Sequence, residues 1–116
     1  MSYEKYLKEQ IQKRNIVLAG STRGKSAFHL AIQAIEHSGS GSETAARLLL
    51  SMEFGTPFNV QNLHKLDTEN RAHAEVAIAG CVAHELWPSR WMTDEGFDGS
   101  DIMKQLKTKW LNAESA

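Results

Sequence analysis

The segment whose residue types and spacing come nearest to a chemical motif is Ala19-Gly20-Ser21-Thr22-Arg23-Gly24-Lys25-Ser26. It fits a relaxed phosphate loop in which Ala stands for the first Gly, set between the apolar run Ile16-Val17-Leu18-Ala19 and a predicted helix. In such a loop backbone N–H groups cradle phosphates, Lys25 reaches the outer phosphates and Ser26 holds Mg²⁺. Against hydrolysis stand a single strand candidate, the absence of a later strand ending in an acid, and the shortness of the chain for a parallel-sheet architecture. Simple anion binding by Arg23, Gly24, Lys25 and Ser26 at a helix start asks for less, and a plain solvated loop asks for least.

A second set lies further along. His73, Cys81 and His84 are eight and three residues apart, so on a helix they project within about 80° of one another. Zinc needs four ligands, so His37 or His64 would have to come from another element, and no metal or other cofactor is expected. A lone Cys81 among small residues behaves as a small hydrophobe rather than a nucleophile. No Gly-x-Ser-x-Gly elbow is present, and His84-Glu85 point about 100° apart on a helix. Asp94 to Gly99 resembles the start of a calcium loop but fails it, with Gly96 at the third position and Gln105 at the twelfth. The last candidate is the aromatic group Trp87, Trp91 and Phe97 with Arg90 among them, residue types that dominate protein-binding hot spots. Its plainer alternative is a core lid formed by the two tryptophans.

These residues need elements to position them. Over 116 residues the apolar fraction is 41% and the charged fraction 23%, as in an ordinary globular domain. A chain of this length buries roughly 65% of its unfolded surface, enough for one core without metal or disulfide. Net charge is −1 with signs interspersed, so nucleic acid is not expected as the main partner. One cysteine, an acid-containing start without an apolar run, and no stretch of about 20 apolar residues predict a cytoplasmic protein without signal peptide or membrane span.

Hydrophobic spacing predicts an all-α fold: a single domain over 1–116 with five or six helices around a central helix at about 68–86. Tyr3, Leu7 and Ile11 mark an amphipathic first helix, and Ile16 to Ala19 a brief strand or a buried continuation. Phe28, Ala31, Ile32 and Ile35 mark a second helix, ended by Ser38 to Gly41 with Gly39 in the left-handed position. Ser42 caps a third with Ala45, Leu48, Leu49 and Met52 inward, and Asn59 caps a short fourth, with Phe58 and Leu63 as a staple. Asp67 or Thr68 opens the central helix, with the stripe Ala72, Val76, Ala79, Ala83 and Leu86 widened by Ile78 and Val82. Ala79-Gly80 would let a neighbouring helix come close. Residues 87–99 read as a loop, Ser100 as the cap of a last helix carrying Ile102, Met103, Leu106 and Trp110, and 112–116 as a frayed tail. A homodimer through the Leu48-Leu49-Met52 or Trp110 faces is compatible with the pattern but not required by it.

Ala27-Phe28, Leu30, the Gly-Ser-Gly break, Ala46, Leu48-Leu49-Leu50, Phe58-Asn59, Leu63, Leu66-Asp67 and Ala77-Ile78 carry a resemblance. From Ala27 to about Trp110 the chain resembles a family of short uncharacterised proteins of bacterial genomes, plasmids and prophages; residues 1–24 fall outside it. The resemblance implies a shared helical fold, offers no catalytic residues, and implies a mobile-element setting. From it follows the expectation of a non-enzymatic inhibitor or adaptor that binds a host or defence-system protein complex, conceivably a CRISPR effector, through Trp87, Arg90, Trp91 and Phe97. The alternatives are a phosphate- or nucleotide-binding protein using residues 19–26 and a small helical nucleic-acid binder.

Overall fold

Ser2 accepts a hydrogen bond from the Lys5 amide, and Glu4 sits in the turn that follows, so the first helix is capped and charged at its start. In the computed structural model, which describes residues 2–84 and 87–111, this helix α1 runs from Tyr3 to Gly20. Of the two alternatives for Ile16 to Ala19, the strand does not form and the continuation does, with Val17 alone of the four buried. Only Val17 of α1 is buried. The helix is tied to its neighbour by polar contacts, Arg14 to Glu75 at 2.9 Å and Thr68 to Gln10.

Among the described residues the rest is also helical: α2 Arg23–Glu36, α3 Ser40–Phe54, α4 Thr68–His84, α5 Pro88–Asp94 and α6 Gly99–Leu106. A 3-10 turn over Val60–Lys65 and a π turn over Lys107–Leu111 complete it. Some caps fall where the sequence puts them. Asn59 accepts from the Gln61 amide and Asp67 accepts from the Asn70 amide. Others shift. Gly39 is not left-handed but extended, at φ −74°, and is itself the N-cap of α3. Ser42 lies inside the first turn and reaches the Gln33 carbonyl instead. The cap of α6 is Asp98, which accepts from the Asp101 amide, rather than Ser100.

The helix at the centre is α2. It packs on α3, α4, α5 and α6, while α4 lies between α1 and α2. The reason is steric: Gly24, Ser26, Ala27, Ala31 and Ala34 give α2 a narrow waist against which several helices can close. Leu30, Leu49, Leu50, Trp91, Met92, Met103 and Leu106 fill the space around it with essentially no exposure. The buried side of α4 correspondingly includes Ala72, His73, Ala74 and Ala77; of the predicted stripe Ala72 is buried and Val76 half-buried, whereas Ala79 and Ala83 are exposed, Val82 is 81% exposed, and Leu86 lies outside the described residues. Leu48 and Leu49 are core residues and offer no dimer face.

Residues 87–99 are not a plain loop. Glu53 of α3 accepts from both the amide and the hydroxyl of Ser89, at 2.8 and 2.7 Å, and so supplies the carboxylate that caps α5. α5 then lies tightly on two glycines. A Cβ on Gly24 would fall 2.9 Å from the Trp91 carbonyl carbon and closer still to its oxygen, and one on Gly99 would strike the Ser89 backbone. At the other end of α2, Lys109 donates to the carbonyls of Ala34, Ile35 and His37, and the Trp110 indole donates to Ala34 as well. No helix among the described residues is long and apolar enough to cross a membrane.

Candidate functional site

α2 and α4 cross where each carries a histidine, and the imidazoles of His29 and His73 stack with centroids 4.0 Å apart. Glu69 stands one turn before His73 on α4, four residues away, which brings its carboxylate over the same spot. One ligand-type atom from each of His29, Glu69 and His73 falls within 4.8 Å of the others. His73 is buried, His29 half-buried and Glu69 exposed, so the cluster runs from the interior to solvent.

A chain of hydroxyls fixes the buried ring. The Ser21 hydroxyl donates to the Thr22 carbonyl at 3.3 Å, and a carbonyl can only accept. Ser21 and Ser26 share a hydrogen bond of 2.7 Å. Ser26 and His73 Nδ1 share another of 2.9 Å. The ring is thereby held at Nδ1, and its Nε2 has no hydrogen-bond partner among the described residues. Burial, reinforced by the neighbouring His29 and opposed by Asp67, lowers the pKa of His73 to about 4, so the ring is neutral at pH 7. Ser26 is fully buried and its hydroxyl is occupied, so it serves to orient the imidazole and is not a nucleophile.

Beside the rings opens a cavity of about 440 Å³, lined by Ser21, Lys25, Phe28, His29, Ile32, Gln33, His73 and Phe97. One wall is the pair Phe28 and Phe97, stacked at 3.8 Å and nearly parallel. Phe97 is thus part of this wall rather than a free anchor.

The phosphate-loop reading of residues 19–26 is corrected by this geometry. α1 and α2 are separated by Ser21 and Thr22 alone, with helix where the motif needs a strand. Gly24 and Ser26 are buried, Arg23 lies along Gly80 with its Nε enclosed, and only Lys25 of the four is exposed. The start of α2 already has an acid, since Thr22 donates to Glu95 at 2.8 Å while capping the Lys25 amide. The close approach at Gly80 is made by the Arg23 side chain, not by a helix backbone.

The aromatic patch divides. Trp91 is 1% exposed and belongs to the core, so it cannot contact a partner. Trp87 is 51% exposed, and Arg90 is exposed and paired with Asp94 at 3.1 Å. His73 and Cys81 do not share a site either: eight residues along a helix separate them by about 12 Å, whatever their angle. The His84 side chain, like Glu85, lies outside the described residues.

Two features escaped the sequence reading. His29 could not be paired with His73 without knowing which helices cross, although Glu69 and His73 carry the i, i+4 spacing that signals a shared face. The second is the exposure of the α1 stripe, whose residues the spacing does show but as the face of an amphipathic helix. Tyr3, Leu7, Ile11 and Leu18 fall within about 80° on the helix, and all four are exposed, Tyr3 at 73% and Ile11 at 55%. Gln10 and Val17 on the adjoining face are held to α4, and Arg14, within the arc of the row, reaches across to Glu75. The chain matches no family model, and no curated protein or solved structure matches it.

Proposed function

We propose that this chain is a non-enzymatic protein-binding domain that docks through α1. The observation that carries the reading is the row Tyr3, Leu7, Ile11 and Leu18, exposed along α1 and interrupted only by Arg14, whose side chain turns to Glu75. Four large side chains in a row stay in water although half of α1 is anchored to α4. Scattered exposed apolar residues are normal on soluble domains, but an aligned row on one helix is the form in which amphipathic helices meet a groove or another helix. Trp87 and Arg90 add an exposed aromatic and an exposed cation of the types that anchor interfaces. The resemblance adds the setting, a mobile element, and the class of partner, a host or defence-system protein complex. Arg23, Gly24, Lys25 and Ser26 take no part in this function, because two of them are buried and the helix start is already served by Glu95.

The test is capture from bacterial lysate by the tagged chain, compared with the double variant Leu7→Asp, Ile11→Asp. Both positions are exposed, so the variant keeps its circular dichroism spectrum. The expected result is a stoichiometric protein partner for the parent chain and at least a tenfold loss in the variant. Equal capture by both, or capture of nothing by the parent chain, overturns the reading. Light scattering on the purified chain identifies the case in which the partner is a second copy.

A further inference from the structure

We propose that His29, Glu69 and His73 form a binding site for one divalent transition-metal ion, zinc being the ion that best fits two imidazoles and a carboxylate. The site is independent of the α1 surface. Imidazole nitrogen and carboxylate oxygen are the donors that zinc takes from proteins, at about 2.0–2.2 Å each. Donors around one tetrahedral ion therefore sit roughly 3.4 Å apart. The three groups start within 4.8 Å of one another, and because the two rings stack at 22°, closure asks the His29 ring to turn until its lone pair meets that of His73 at the ion. Glu69 is exposed and His29 half-buried, so these two are free to turn, while His73 stays fixed by Ser26.

The hydroxyl chain distinguishes this cluster from a chance gathering of polar side chains. A ligating histidine needs its other ring nitrogen held, which sets the tautomer and the ring angle. Ser26, backed by Ser21, does that for His73 from inside the protein by engaging Nδ1, which leaves Nε2 for the ion. Ser26 has no exposure, so its hydroxyl serves no other purpose than this chain. Three protein ligands leave one tetrahedral position over, and both imidazoles line the cavity of about 440 Å³, so water or another oxygen ligand completes the ion from there. The nearby charges are Glu69 and Asp67, which favour a cation, and Lys25 on the cavity wall, which opposes it from an exposed position.

The experiment is calorimetric titration of Zn²⁺ into the full chain, first stripped with a chelator, at neutral pH. One equivalent binds with a micromolar or lower Kd, and Co²⁺ in its place gives the visible absorption of a four-coordinate ion. Glu69→Gln, at an exposed position, and His29→Gln each weaken binding at least tenfold with unchanged circular dichroism. Ser26→Ala weakens it by about 10–100-fold although Ser26 touches no metal, as loss of an orienting partner does. Cys81→Ser leaves the affinity as it was. No saturable binding, or equal affinity in Glu69→Gln and His29→Gln, overturns the site; so does a loss of affinity in Cys81→Ser.

Discussion

Gly20 and Gly24 look alike in the sequence, four residues apart in the same short motif, yet the structure predicts opposite outcomes when each becomes alanine. Gly20 ends α1 with nothing within 4 Å of an added Cβ. Gly20→Ala therefore gains helix propensity and loses nothing, an expected stabilisation of about 0.5–1 kcal/mol. Gly24 sits in the first turn of α2 with the Trp91 carbonyl group across from it. An added Cβ would lie 2.9 Å from the carbonyl carbon, nearer to its oxygen, and 2.5 Å from the Glu95 Cγ. Glu95 can swing aside, but the carbonyl belongs to α5 and moves only if α5 moves. Overpacking of this kind costs typically about 1–3 kcal/mol, and a backbone obstacle puts Gly24→Ala at the upper end. The propensity gain of under about 1 kcal/mol does not offset it, which leaves a net loss of about 2 kcal/mol. For a domain of this size that is on the order of 10 °C in Tm. Thermal and urea unfolding of the two single variants measure the pair directly. If Gly24→Ala is as stable as Gly20→Ala, α5 does not pack on the start of α2, and the burial of Trp91 and the correction of the phosphate loop lose their basis.

Three further outcomes are expected. Lys109→Met removes the ammonium that holds the carbonyls of Ala34, Ile35 and His37 at the end of α2, and should cost about 1–2 kcal/mol in urea unfolding; a loss below about 0.5 kcal/mol would show that the contact is idle. Trp91→Ala should cost about 3–5 kcal/mol because it empties a fully enclosed site, whereas Trp87→Ala should stay within about 0.5 kcal/mol, and a reversed order would put the wrong tryptophan in the core. His73 has a pKa of about 4 when folded and 6.5 when unfolded, so between these values the unfolded chain binds more protons. Stability is then full above about pH 6.5 and falls as pH drops toward 4, by at most about 3 kcal/mol, in buffer containing chelator. His29, Asp67 and Glu69 face the same ring, so the check is comparative: His73→Gln should flatten the slope in this window, and an unchanged slope would assign it to the other groups.

Much of the helical layout was legible because its signals are local. Asn59 and Asp67 act within a turn of themselves, and Leu48, Leu49, Ile102 and Leu106 follow the helix period, so their roles follow from spacing alone. The expected face of α4 holds at Ala72 and at Ile78, which packs against the core, and fails at Ala79, Val82 and Ala83, which are exposed. Close packing on the narrow α2 selects small residues, Ala74 and Ala77, and leaves Val82 outside. α5 was missed since its capping group, Glu53, lies 36 residues away. The candidate metal cluster was only half visible: Glu69 and His73 share a face by spacing, while His29 joins them from a helix that spacing cannot place.

By itself the sequence determined that the chain is all-helical and that Asn59 and Asp67 open the two elements that follow them. Only the tertiary structure decided which tryptophan is buried, which of two similar glycines is obligatory, and that Ser26 orients a histidine rather than holding Mg²⁺. The division has one physical cause. Caps and periodicity are settled by bonds between residues within a few positions, whereas burial, close approach and the meeting of His29 with His73 depend on which helices cross, and crossing is set by side-chain volume summed over the whole core.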